Sequence, residues 1–186
     1  HAGTVFLDIA RGKPGAPKEP GDHHQAVDSL SREIRSYSAH LFHEDLTREQ
    51  MDLVASLIEE VDFIGSLTET LHQIARRVKR DEFSASGKSY IDEALNRLDA
   101  ALNTILFEQG SLPNMPAGHA QHADFAKLRW RVIDDGAVPA GEKGAILALL
   151  GSIERAEVLI SRIAAERDSV DRNVAAPARP QAPRSG

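Results

Sequence analysis

The sequence predicts an all-α protein, an antiparallel bundle of about five helices, and three observations lead there. Between Thr47 and Arg80 the positions Val54, Leu57, Val61, Ile64, Thr68, Leu71, Ala75 and Val78 step by alternating threes and fours. That spacing lines up one face of an α-helix for about seven turns. The same stepping recurs in four other segments, and the connection at His43-Glu44-Asp45 is short enough to fold two of them back antiparallel. Aromatic residues make up only 5% of the chain, as expected when Leu, Ile, Val and Ala fill a helical core.

Taken in order, residues 1–21 read as a flexible linker. Val5-Phe6-Leu7-Asp8-Ile9 is a short apolar patch, read as a fraying strand or as the stub of something upstream, and the Gly- and Pro-rich run from Arg11 to Gly21 argues against regular structure. Asp22 is placed to cap a first helix reaching about Phe42, with Val27, Leu30, Ile34, Tyr37 and Leu41 facing inward. Thr47 then caps the long helix, and Gln50 stands in the capping-box position three residues on. The Ser-rich stretch 81–89 reads as a loop or frayed start. Ile91, Leu95, Leu98, Leu102 and Ile105 follow in register, up to Gly110 and Pro113.

A Pro/Gly/Asn break spans 111–118. A shorter helix over about 120–135 presents Phe125, Leu128 and Val132, and Asp134-Asp135-Gly136 ends it. Pro139 opens the last helix, which runs to about Arg172 on a seam of Ile146, Leu149, Ile153, Ala156, Ile160 and Ile163. The bundle is thus expected over 22–172, with a disordered Pro-rich tail over 173–186.

Composition narrows the function classes. A net charge of −6 argues against a general nucleic-acid binder, which needs a basic face for phosphate. With no cysteine, disulfide scaffolds, thiolate metal sites and cysteine nucleophiles are excluded. No apolar run is long enough for a membrane span, and no signal-peptide pattern is present. The chain opens His-Ala-Gly-Thr without an initiating Met, and the linker-like start leads us to expect a piece of a longer protein. No Gly-x-Ser-x-Gly elbow or His-Glu-x-x-His motif is found, and Ser86-Gly-Lys-Ser89 lacks the leading glycine and preceding strand of a phosphate loop. No enzyme activity is therefore expected.

An internal repeat emerges at an offset of 92 residues: Val54 meets Ile146, Leu57 meets Leu149, Ile58 meets Leu150, Val61 meets Ile153 and Asp62 meets Glu154. The segments Leu57-Ile-Glu-Glu-Val-Asp-Phe-Ile-Gly-Ser-Leu67 and Leu149-Leu-Gly-Ser-Ile-Glu-Arg-Ala-Glu-Val-Leu159 resemble the central helices of PhoU-like domains. Those domains are all-α bundles of two three-helix repeats, with an acidic residue, often followed by Arg-Ile-Gly-Asp, on the long helix of each. Asp62-Phe-Ile-Gly-Ser66 keeps the acid and the Ile-Gly pair but has Ser66 for the closing Asp. Ile153-Glu-Arg155 keeps the acid and the Arg, with Glu157 and Val158 in place of Gly-Asp.

The resemblance implies a non-enzymatic regulatory domain at the cytosolic face of the membrane, as part of a Na⁺/phosphate cotransporter-like protein. Its partner would be the transporter portion of the same chain or a neighbouring subunit; a homodimer is also compatible. Two alternatives are a free-standing PhoU-like regulator of phosphate-uptake signalling and a metal-binding helical bundle. For the last, the resemblance points to iron or zinc at Asp62, Glu69, Glu154 and Glu157. Asp62, Ser66 and Glu69 share one helical face, as do Glu154 and Glu157. The pairs His40/His43, His23/His24 and His119/His122 lack a third ligand fixed by the sequence. The basic run Arg76-Arg77-Lys79-Arg80 complements a helix C-terminus, or else an anionic lipid surface.

Overall fold

The structure, a computed structural model, describes residues 2–16, 21–107 and 118–175. Six helices are found among them and no strand: α1 (Ala2–Ala10), α2 (Gly21–Leu41), α3 (Arg48–Arg80), α4 (Ala85–Phe107), α5 (Gly118–Asp134) and α6 (Ala140–Ala175). The chain is an all-α helical bundle with one helix more than the sequence pattern predicts. No helix is long and apolar enough to cross a membrane among the described residues.

The extra helix corrects the expectation of a linker over residues 1–21. Phe6 and Leu7 are almost fully buried in the common core, and Ile9 is buried as well. Arg11 then fastens α1 to α4, its guanidinium reaching Asp99 at 2.9 Å, Asn96 Oδ1 at 2.8 Å and the Leu95 carbonyl at 3.3 Å. The glycine after it is a helix stop. Gly12 takes a left-handed φ of 61°, its N–H donates to the Ile9 carbonyl, and the Lys13 N–H donates to the Asp8 carbonyl. This is the Schellman closure, which satisfies the last carbonyls of a helix and needs a residue without a Cβ penalty.

The remaining elements follow the periodicity with small shifts. Thr47 Oγ1 accepts from the Gln50 N–H while Gln50 Oε1 accepts from the Thr47 N–H, so the capping box forms as the sequence predicts. α2 begins at Gly21, one residue ahead of the expected cap at Asp22. α4 begins at Ala85, inside the stretch expected to be a loop. There Ser84 Oγ accepts from the Gly87 N–H, and the Glu142 carboxylate of α6 accepts from the Ser84 N–H at 2.9 Å. The Ser86–Ser89 run is thus the first turn of a helix. The expected stop at Gly110, most of the Pro/Gly/Asn break and the tail beyond Ala175 lie outside the described residues.

α3 and α6 form the central pair, starting 92 residues apart in sequence. α3 carries α1 and α2, α6 carries α4 and α5, and α1 meets α4. Packing thus follows two three-helix units, each built around its last and longest helix. The core is uneven between them. Ile146, Leu149, Leu150, Ile153, Ala156 and Ile160 of α6 are sealed. On α3 the buried residues are confined to the stretch Leu67 to Ala75.

α2 departs most from its predicted face. Its buried side chains are Ser31 and Ser38, while Leu30 and Tyr37 stand 57% and 67% exposed. Ser31 and Ser38 lie seven residues apart, alternating with half-buried Val27, Ile34 and Leu41 in a heptad seam. Small side chains let the two backbones approach, and the larger neighbours are turned out.

Candidate functional site

A groove of about 490 Å³ runs along α2, α3 and the middle of α6 and gathers part of the acidic face flagged in the sequence. Asp62, Ser66 and Glu69 line it from α3, spaced as one helical face requires, with His24 and Arg35 opposite on α2. Arg35 bonds the Asp62 carboxylate at 2.7 Å. Glu69 accepts from the Gln73 side chain at 2.6 Å and pairs with His24. The Gln73 amide, with smaller help from the neighbouring His24, holds the Glu69 carboxyl below its usual pKa against the opposing effect of burial. His24 in turn lies 5.0 Å from His72 with the rings tilted, and His72 meets Phe6 of α1 edge to face.

Glu154 and Glu157 lie on the other unit's side of α6. Glu154 pairs with Arg129 of α5. Glu157 is only 4% exposed, and its nearest cation is Arg97 of α4 at 3.8 Å. Burial pushes its carboxyl above the usual range, with Arg97 opposing and Glu154 and Asp124 adding to the rise. Arg97 also lies 4.7 Å over the Phe125 ring, so the guanidinium serves two neighbours.

The four candidate ligands thus fall into two places, Asp62 and Glu69 in the groove and Glu154 and Glu157 against α4 and α5. Among the described residues no group of three His, Asp or Glu side chains is placed to hold a metal ion. The acids matched by the repeat, Asp62 and Glu154, are each answered by an arginine from the preceding helix. Arg35 lies 27 residues before its acid and Arg129 lies 25 before its own. At the 92-residue offset Arg35 falls on Lys127 and not on Arg129, so the two struts are alike in kind while their arginines are not matched by the repeat.

Other flagged residues have plain roles. His40 bonds the Ser36 carbonyl of its own helix at 2.7 Å, and Arg80 pairs with Asp81 at the end of α3. The side chains of His23, His119 and His122 lie outside the described residues. Trp130 projects from α5, 64% exposed. What the groove offers chemically is a set of hydroxyls, of which Thr68, Thr70 and Ser152 donate to carbonyls of their own helices, carboxylates paired with Arg35 and His24, and Arg155 of α6 in the lining. Comparison of the chain with family models, with curated proteins and with solved structures gives no match.

Proposed function

We propose that this chain is a non-enzymatic accessory domain that acts through contacts of its helix faces. Following the PhoU-like resemblance, its partner is the membrane portion of a Na⁺/phosphate cotransporter-like protein, in the same chain or a neighbouring subunit, met from the cytosolic side. The observation that carries the reading is the doubled unit: two long helices at one sequence offset, each tied by its acid to an arginine of the helix before it. Such a domain works by binding one transporter state better than another, and can shift the equilibrium only by that difference in affinity.

The test is sodium-dependent phosphate uptake in vesicles carrying the cotransporter-like protein with and without this domain. Uptake whose rate or phosphate dependence changes with the domain, together with association of the two, is the expected result. Unchanged uptake and no association would overturn the reading. Association with a soluble signalling protein in place of the transporter would turn it towards the free-standing regulator.

A further inference from the structure

The two units are built alike but covered unequally. α4 runs beside α6 in the same direction: Ser84, before its first turn, bonds Glu142 near the start of α6, and further along Arg97 reaches Glu157. This 23-residue helix comes up against Ile146, and Ile146, Leu149, Leu150 and Ile153 are sealed among α3, α4 and α5. Its counterpart in the first unit, α1, has nine residues and meets α3 at His72, in the C-terminal half. At the 92-residue offset the sealed side chains of α6 correspond to Val54, Leu57, Ile58 and Val61 of α3. Leu57 is 40% exposed, and the other three are only partly covered.

None of these four side chains lines the groove, which reaches this side of α3 further along, at Thr68. Leu57, Val61, Ile64, Thr68 and His72 form one stripe at steps of four and three, and α1 sits on its far end through Phe6. On α2, Asp28, Ser31 and Arg35 line the groove, and Leu30 and Tyr37 come on the opposite flank of the serine seam. The exposed apolar residues of both helices therefore border one trough continuing the line of α1.

We propose that this trough is the docking site for an amphipathic helix of a partner protein, about four turns long, laid parallel to α3 and in line with α1 as α4 lies along α6. The proposal rests on the docking role given above and names the face and the partner's chemistry: an apolar stripe at i, i+3, i+4 and i+7, like that of α4. A second copy of this chain is a poorer occupant. Among the described residues, the exposed large apolar side chains other than Leu30, Tyr37 and Leu57 are Phe42, Met51, Trp130, Ile133 and Val174, and they form no stripe at i, i+3, i+4 and i+7.

The probe is a fluorescently labelled peptide of residues 85–103, the helix that helps to seal the equivalent side chains of α6, titrated into the intact chain and followed by anisotropy. Saturable binding is expected, weakened at least tenfold by Leu57→Glu and by Leu30→Glu and unchanged by Trp130→Glu. Circular dichroism checks that each variant is folded, and using two separate exposed positions keeps the test valid if one variant fails. Absence of saturable binding up to about 1 mM peptide overturns the proposal. So does binding that ignores both trough variants, which would mean that the peptide displaces α4. Light scattering that shows a dimer lost on Leu57→Glu would overturn it in favour of a second copy. If the domain alters phosphate uptake while the peptide fails to bind, the trough is refuted and the accessory role stands. Peptide binding without any effect on uptake refutes the role alone.

Discussion

Leu149 and Leu57 occupy matched positions in the two units, and truncating each to alanine measures how differently those units are packed. Leu149 is 1% exposed and touches the common core, whereas Leu57 is 40% exposed. Removing about three carbons at about 0.8 kcal/mol each, plus the cavity left in a sealed site, gives a cost of about 3–4 kcal/mol for Leu149→Ala. For Leu57 roughly half of that transfer energy was gained on folding, and no closed cavity remains, so the cost is about 1 kcal/mol. At about 2–4 °C per kcal/mol for a domain of this size, Tm falls by about 6–16 °C in the first variant and about 2–4 °C in the second. The assay is thermal and urea unfolding followed by circular dichroism at 222 nm, with the urea slope checked for constancy. Equal losses at the two positions would refute the unequal covering, and the docking trough with it.

Two further outcomes test local features. Burial raises the pKa of Glu157, so below the ordinary carboxylate pKa it carries no penalty, and stability is lost as pH rises from there through its folded-state value. Glu157→Gln is therefore expected to flatten the decline in stability on going from mildly acidic to neutral pH, leaving the variant the more stable at neutral pH by about 1 kcal/mol; a steeper or unchanged dependence in urea titrations at several pH values would contradict it. Gly87→Ala is expected to lower stability by about 1–3 kcal/mol despite better helix propensity, because the new Cβ collides with the Glu142 carboxylate that caps α4 and meets Ile146 Cδ1 at 3.0 Å; a neutral or stabilising result in thermal unfolding would show that the cap gives way freely.

Much of this fold is legible where one principle decides the outcome. The seam of α6, the capping box of Thr47 and Gln50, and the inward trio Phe125, Leu128 and Val132 come directly from spacing. Where two principles compete, the pattern misleads. Arg11-Gly-Lys-Pro has the composition of a connector, yet Gly12 and Pro14 are equally the signature of a helix that has just ended, and the short patch before it is that helix. In α2 hydrophobicity favours Leu30 and Tyr37 for the interior, but close approach to α3 selects Ser31 and Ser38. For the candidate site, spacing correctly puts Asp62, Ser66 and Glu69 on one face. Nothing in the helix's own sequence says that an arginine 27 residues earlier occupies Asp62, since that depends on how helices cross.

The serine seam has a dynamic consequence. A helix whose buried contacts with its neighbour α3 centre on two hydroxyl-bearing side chains has little apolar surface to lose on detaching. Amide protons of α2 should therefore exchange with solvent through partial opening long before those of α6 give way in global unfolding. The native domain then behaves as a firm block with one hinged flap, and anything that settles against both α3 and the Leu30 and Tyr37 side chains would pin the flap and slow that exchange.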